Sequence, residues 1–409
     1  MDAPGPSLVE PRWDAARAAL AAAVRPLPTR AVPLAACDGL ILAEPLVARI
    51  DLPTFDTSVM DGWAVAGPGP WRITGEALAG RPLLGELQPG QAVGIATGGV
   101  VPPGSDAVIR SEDGTVEQRD GELLLRAPAP QGRTHVHPTG GECAVGELLA
   151  AAGTRIGPAL IGLAAATGHD ELRVVPRPRV ALVLCGDELA TSGVPAPGLV
   201  RDSLGPQVPA WLARMGVDLV GVERCPDTLS DHVEAIDRAA RSADLVLTTG
   251  GTAAGPVDHL HEAIAALAGE LLVDQVAVRP GHPMLAATIP GSGGQADPGS
   301  ARSSWLVGLP GNPQSAIVAL VSLAWPLLEG LAGRPPLPEL VEVVSADPLG
   351  APAHEDRLVL GTVADGVFHP GGHLVSRMLR GLAFATGFAV LPPGGVEAGQ
   401  AVRWLPLPA

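Results

Sequence analysis

The 409-residue chain carries 27 basic and 43 acidic side chains, a formal charge of −16, and every basic residue is Arg because the sequence contains no Lys. Schiff-base chemistry on lysine and the lysine of a Walker-type phosphate loop are thereby excluded, and the charge opposes attachment to nucleic acid or anionic membranes. With 46% hydrophobic residues, 3% aromatic and no Tyr, Leu, Val and Ala must fill the interior of two or more domains.

The opening segment "MDAPGPSLVEPRWDAARAALAAAV" is acidic, broken by Pro and interrupted by Arg17, unlike a signal peptide or a membrane span. Apolar residues at helical spacing predict an amphipathic helix over 7–24. From about 27 to 152, short runs such as "GWAV", "PWRITGEAL", "QAVGIA" and "GELLLRA" between Gly and Pro predict a β-rich half. "GPALIGLAAATGHDEL" predicts a helix closed by Gly168, and "RPRVALVLCGDEL" a continuous apolar strand, Val180 to Leu184, ending in an acidic turn. Helices and strands then alternate: "SLGPQVPAWLARMGV" helix, "DLVGVERC" strand, "LSDHVEAIDRAARSA" helix capped near Ser230, "DLVLTT" strand and "DHLHEAIAALA" helix. "ELLVDQVAV" follows as an extended segment, "SWLVGL" as a strand and "PQSAIVALVSLAWPLLEGLAG" as a long helix, with "IPGSGGQADPGSARSS" (289–304) a flexible loop. Such alternation predicts an α/β fold with a largely parallel sheet, helices on both faces and ligands beyond the carboxyl ends of its strands. The last stretch, roughly 337–409, returns to short β runs and should form a separate small β domain.

Three turns fall at predicted carboxyl ends: "CGDEL", "TGGTAAG" and "GLPGNP". Gly250, Gly251 and Gly255 allow backbone N–H groups to turn toward an anion without a lysine, with the following helix adding its dipole. In the third turn Gly311 permits close backbone approach, and Asn312 offers both a donor and an acceptor. Carboxylates collect at the same edge: Asp187, Glu188, Asp202, Asp227 and Asp258. Together they are hard oxygen ligands suited to Mg²⁺ bridging phosphates, while Asp202 and Asp258 singly are also helix-cap candidates. The pairs His259/His261 and His135/His137 resemble metal pairs, but spacing of two on a helix puts the first pair on different faces and the second has no evident third ligand, so a structural or surface role is favoured for both. Cys37, Cys143, Cys185 and Cys225 show no CxxC spacing and fit reduced structural thiols of a cytoplasmic protein.

The motifs "FDTSVMDGWAV", "ATGGVVPPGSDAVI", "GECAVGELL", "RPRVALVLCGDEL", "DLVLTTGGTAAGPVD", "VRPGHP" and "GLPGNPQSA" stand in the order of one family, and the chain resembles the MoeA/gephyrin-E-domain molybdopterin molybdenumtransferases over nearly its whole length. The resemblance implies a MogA-like α/β molybdopterin-binding domain (177–334), an N-terminal helix packing on it (1–26) and a linking domain (27–46 and 144–176). A β-rich domain (47–143) and a C-terminal β barrel (335–409) complete the implied subunit, which forms a homodimer with its like. The implied reaction takes adenylylated molybdopterin and molybdate and, with Mg²⁺, gives molybdenum cofactor and AMP in the cytoplasm, alongside other proteins of molybdenum cofactor biosynthesis.

Carried over position by position, the resemblance assigns catalytic roles to Glu188, Asp227, Asp258, Arg279 and Asp61, with Asp227 and Asp258 as metal ligands. Substrate binding falls to Thr97, Glu142, Gly250, Gly251, Gly255, Gly311, Asn312, His282, Arg357 and Ser376. Asp61, Thr97 and Glu142 would close the cleft across the dimer and help admit molybdate. The chain departs from the family's pattern where a lysine cluster becomes Gln275, Arg279 and His282, and also at Ala253, Pro256, Leu204, Ala385 and Thr386. Arg clamps an oxyanion bidentately but does not copy Lys geometrically. Two alternatives stay open: a molybdopterin-binding carrier paralogue with weakened turnover, and a molybdopterin adenylyltransferase.

Overall fold

The computed structural model describes residues 7–78, 80–252, 258–291, 303–337 and 339–408. They form two compact units, Met1–Arg30 with Val175–Ala409, and Ala31–Val174. Gly255, Ala253, Pro256 and most of the expected loop over 289–304 lie outside the described residues; the ends of that loop belong to strands.

The first unit is built on a seven-stranded sheet in the order Leu8–Val9, Glu270–Asp274, Leu285–Pro290, Ser303–Leu309, Leu245–Thr249, Arg179–Cys185, Asp218–Cys225. Its last four strands run parallel, whereas Leu285–Pro290 is antiparallel to both of its neighbours, so the sheet is mixed. The apolar run of Arg179–Cys185 is buried at every residue after Arg179, as a central strand covered on both faces requires. Helix Leu229–Ser242 buries His232, Ala235, Ile236, Ala239 and Ala240 at helical spacing. Its cap is Thr228, whose Oγ1 accepts the Asp231 N–H at 3.2 Å; Ser230 lies inside the first turn.

The N-terminal helix is shorter than its apolar pattern and spans Trp13–Ala23. Glu10 takes a positive φ before Pro11, which stops the helix there and frees Leu8–Val9 to pair parallel to Glu270–Asp274. Trp13 Nε1 donates to Ser322 Oγ at 2.8 Å, fixing this helix on the helical stretch Pro313–Leu331. That stretch is long and apolar enough to cross a membrane but is mostly buried in the core.

Strands Val341–Ser345, Asp356–Ala364, Val367–Pro370, Gly387–Leu391 and Ala401–Pro406 close into a five-stranded barrel around Phe368, Ala389, Leu391 and Val402. A two-residue strand, Val278–Arg279, adds to it parallel to Asp356–Ala364 and sets Arg279 directly beside Arg357. Asp356, fully buried, accepts from Arg12 Nε and Nη2 at 3.0 and 2.6 Å.

In the second unit a six-stranded sheet orders Thr115–Arg119, Glu122–Arg126, Trp71–Ala77, Gln91–Ile95, Gly62–Val65 and Ala107–Arg110. Alternate residues of the strands pack on the two faces, with Ala64, Val93 and Val108 in one cluster and Val65, Trp71 and Leu125 in the other. A third core, including Leu42, Ile156 and Val174, lies under helix Pro158–Ala166.

Candidate functional site

Strand Arg179–Cys185 has the next strand of this sheet in the sequence, Asp218–Cys225, on one side and Leu245–Thr249 on the other. The connections leaving its carboxyl end therefore diverge, and in an open α/β sheet that divergence leaves a crevice for ligands. Four turns emerge along this edge, after Cys185, Cys225, Thr249 and Leu309.

In the first turn a Cβ on Gly186 would stand 2.7 Å from Glu188 Oε2, so glycine lets the Glu188 carboxylate fold back over the backbone. The Asp187 N–H donates to Asp227 Oδ2 at 3.0 Å, tying the first turn to the second. Gly250 and Gly251 both take positive φ, 81° and 66°, a conformation that favours glycine. The Gly250 N–H is bonded to the Leu309 carbonyl at 2.9 Å, so, unlike the sequence expectation, it does not turn toward an anion. A Cβ on Gly311 would lie 3.9 Å from the Gly250 Cα, which places the third and fourth turns in contact.

Asp202 behaves as a cap: its Oδ1 accepts the Gly205 N–H at 2.8 Å, and Oδ2 accepts from Arg224 at 2.6 Å. Asp258 precedes helix Leu260–Ala266, whose N-cap position is His259, without a side-chain cap bond. The two histidines of "DHLH" go to different partners, His259 to Glu262 at 3.5 Å and His261 to Asp274 at 2.8 Å. Among the described residues the one trio of His, Cys or carboxylate side chains with ligand atoms within 4.8 Å of one another is Cys185, Cys225 and His232, which includes none of the edge carboxylates.

Beside the Leu309 turn a cavity of about 300 Å³ is lined by Arg279, His282, Asn312, Arg357 and Ser376, together with Ser315. These come from four separate stretches of chain, gathered because the Val278–Arg279 strand pairs with the barrel and because helix Pro313–Leu331 starts there. Arg279 Nε donates to Glu355 Oε2 at 2.8 Å, and Arg357 Nη1 to the Gly350 carbonyl at 2.5 Å. Each guanidinium is thus held by one edge, with further N–H groups remaining for an anion. His282 Nε2 lies 3.3 Å from Glu10 Oε1. Gln314, buried, donates its Nε2 to the carbonyls of His373 and Met378, both at 2.7 Å, and its N–H to the Ser376 carbonyl at 3.0 Å. The loop bearing Ser376 is therefore fastened to the first turn of the helix.

Two arginines side by side and two serine hydroxyls are donors of the kind a compact oxyanion takes. Quoted motifs hold Arg279, His282 and Asn312, and the family resemblance pointed to Arg357 and Ser376. Glu355, Ser315 and Gln314 had not been singled out, although Gln314 and Ser315 stand within the quoted "GLPGNPQSA".

In the second unit Asp61 Oδ1 accepts both the Thr97 N–H, at 2.7 Å, and the Thr97 hydroxyl, at 3.0 Å. These bonds hold the Asp61 carboxyl below its usual range, the backbone donor contributing most. Asp56 is held low in the same way by the Thr139 N–H and hydroxyl, with Arg133 as ion-pair partner. Glu142 is exposed, and its N–H bonds to the Leu52 carbonyl at 2.9 Å.

Residues 12–168 match the model of the MoeA N-terminal region (domain I and II), and residues 181–330 match that of a probable molybdopterin binding domain. A molybdopterin molybdenumtransferase of Nostoc sp. is 32% identical over 400 residues, covering 93% of this chain and 89% of that protein. Molybdopterin molybdenumtransferase 2 of Mycobacterium tuberculosis is 33% identical over 389 residues, covering 90% and 91%. The crystal structure of a molybdopterin biosynthesis MoeA protein from Pyrococcus horikoshii superposes with a TM-score of 0.79 at 24% identity, over 98% of this chain and 100% of that one.

Proposed function

The chain belongs to the molybdopterin molybdenumtransferase (MoeA) family, and on that premise we propose that it takes adenylylated molybdopterin and molybdate, inserts the metal and releases AMP. The observation that carries this reading is the cavity with Arg279 and Arg357 in register at the start of a helix, a concentrated positive field in a chain of net charge −16. Molybdate is a tetrahedral dianion. It would receive guanidinium N–H bonds from both arginines and hydroxyl bonds from Ser315 and Ser376, with His282 adding a donor when protonated.

The diphosphate joining pterin to AMP would lie along the adjoining carboxyl edge, where Gly250, Gly251 and Gly311 allow the backbone close to it. When water attacks the pterin-side phosphorus, a P–O bond forms there, the P–O–P bond breaks and AMP departs as the leaving group. Arg279 would neutralise the charge that develops on phosphate, and Glu188 would orient the pterin. The edge carboxylates are hard oxygen donors of the type Mg²⁺ takes, and Asp227 and Asp258 would hold it, with Asp227 keeping one oxygen on the Asp187 amide. Bound there, Mg²⁺ would supply Lewis-acid neutralisation of the diphosphate. Asp61, Thr97 and Glu142 are proposed to help admit molybdate.

Buried free thiols at Cys37, Cys143, Cys185 and Cys225 support a reducing, cytoplasmic setting. A homodimer is expected, and light scattering on the purified protein checks it. Leu204 favours the second reading, a carrier with weakened turnover. It is buried at the start of helix Leu204–Arg214, where the family places an amide.

The test is incubation of purified protein with adenylylated molybdopterin, Mg²⁺ and molybdate. AMP release above a no-enzyme control supports the transferase. Tight pterin binding without AMP supports the carrier, and consumption of ATP with molybdopterin would support an adenylyltransferase.

A further inference from the structure

Directly beneath the turns of the carboxyl edge lie three side chains that the proposed reaction does not use. Cys185 and Cys225 end adjacent parallel strands and are register partners, so both side chains leave the sheet on the same face. His232, on the first turns of helix Leu229–Ser242, comes down onto them. One imidazole nitrogen and the two sulfurs lie within 4.8 Å of one another, and Cys225 Sγ is 3.6 Å from His232 Nδ1. All three residues are buried, at 6%, 4% and 1% exposure, which excludes casual surface proximity.

The histidine is incompletely satisfied. Its Nδ1 lies 2.9 Å from the Thr228 carbonyl oxygen, which can only accept, so the neutral ring carries its proton on Nδ1. Nε2 is then a lone pair buried without a hydrogen-bond partner. It points to the glycine turn: a Cβ on Gly251 would stand 3.4 Å from it. Cys225 Sγ faces the other ring nitrogen, Nδ1, so the soft donors gather on that side of the imidazole.

We infer that Cys185, Cys225 and His232 form a zinc site, a metal centre separate from any Mg²⁺ on the edge carboxylates. Zn²⁺ takes sulfur at about 2.3 Å and imidazole nitrogen at about 2.0–2.1 Å, so tetrahedral angles put the two donors roughly 3.5–3.6 Å apart. The Cys225 Sγ–His232 Nδ1 spacing already has that value. Charge decides among soft ions. Two thiolates, one neutral imidazole and Zn²⁺ sum to zero, which a buried site tolerates, whereas Cu⁺ with the same donors leaves one net negative charge. Loading releases the two thiol protons to solvent. Nδ1 exchanges the Thr228 carbonyl for the metal, Nε2 takes the ring proton, and water fills the fourth position. A metal here would brace the Gly186, Asp227 and Gly251 turns from below.

The test uses the full chain, reduced and stripped of metal. Titration with Co²⁺ alone should give one equivalent of tetrahedral cobalt with a thiolate-to-cobalt charge-transfer band, displaced by Zn²⁺, and Zn²⁺ should raise the melting temperature. Cys225→Ala and Cys185→Ala should each abolish the band, while Cys37→Ala/Cys143→Ala should keep it. Should either of the first two fail to fold, the sulfur count from X-ray absorption of cobalt-loaded wild type decides: two sulfurs uphold the site and none overturns it. No charge-transfer band, a band that survives Cys225→Ala in folded protein, or uptake of Cu⁺ but not Zn²⁺ would each overturn the assignment. None of these readouts depends on AMP release, so the zinc site and the transferase reading stand or fall separately.

Discussion

Arg279→Ala is the perturbation whose size follows most directly from the structure. Loss of a charge-assisted hydrogen bond to an anion costs about 1.5–3 kcal/mol. Because the Arg279 side chain is 60% exposed, the lower half of that range applies. The substitution also strands Glu355, only 18% exposed, with its carboxylate beside the cavity and its partner gone. A carboxylate about 7 Å from a dianion in a water-like dielectric adds roughly 1 kcal/mol of repulsion. The sum, about 2.5–3 kcal/mol, predicts a weakening of molybdate binding of roughly 70- to 150-fold. In Arg279→Ala/Glu355→Gln the repulsive part disappears, and about fivefold of the affinity should return. The assay is the KM for molybdate in AMP release, paired with calorimetric titration of molybdate alone. A KM for Arg279→Ala within about threefold of wild type, or a double variant no better than the single one, would refute the reasoning.

Gln314→Ala removes two buried hydrogen bonds to the Ser376 loop and should lower stability by about 2 kcal/mol in urea unfolding, with a raised KM for molybdate and kcat largely kept. Gly251→Ala has room for the methyl group but must hold φ near 66°, so it should lose about 1–2 kcal/mol in denaturant unfolding and bind the adenylylated pterin more weakly by calorimetry. Thr97→Val should raise the Asp61 pKa measured by NMR, because the hydroxyl bond that helps depress it is gone. A depressed carboxyl stabilises the fold above its unfolded pKa of about 4 and loses that contribution as pH falls through the folded value, so wild type and Thr97→Val should converge in stability once the pH drops below that value. Arg12→Met leaves the fully buried Asp356 carboxylate without its partner and should cost about 3 kcal/mol, read as a shift in the urea midpoint.

The alternation of apolar strands and helices was legible because burial on both faces writes continuous runs such as "VALVLC" into the sequence, and the folded strand Arg179–Cys185 follows that run closely. The antiparallel Leu285–Pro290 was not legible, since the residue pattern of a buried strand carries no direction. The N-terminal helix was overextended because apolar spacing continues through Leu8 and Val9, and only the backbone at Glu10–Pro11 ends it. Arg279, His282 and Asn312 could be named from motifs, and Arg357 and Ser376 from the family resemblance, but the pairing of Arg279 with Arg357 depends on a two-residue strand joining a distant barrel, which local patterning does not encode. Cys185 and Cys225 escaped notice as a pair because their spacing matches no metal motif. The available signal was that each ends a strand just before an acidic turn, "CGDE" and "CPD". Asp61 and Thr97 were named separately, and only the structure shows one bonded to the other.

The account turns on the cavity between Arg279 and Arg357 being the seat of the metal oxyanion. Crystals of the protein soaked in molybdate and measured at the molybdenum absorption edge test it most directly. An anomalous peak within hydrogen-bonding reach of both guanidiniums and Ser376, lost in Arg279→Ala/Arg357→Ala, is the expected result. An empty cavity at saturating molybdate, or a peak bound elsewhere and indifferent to both substitutions, would contradict it.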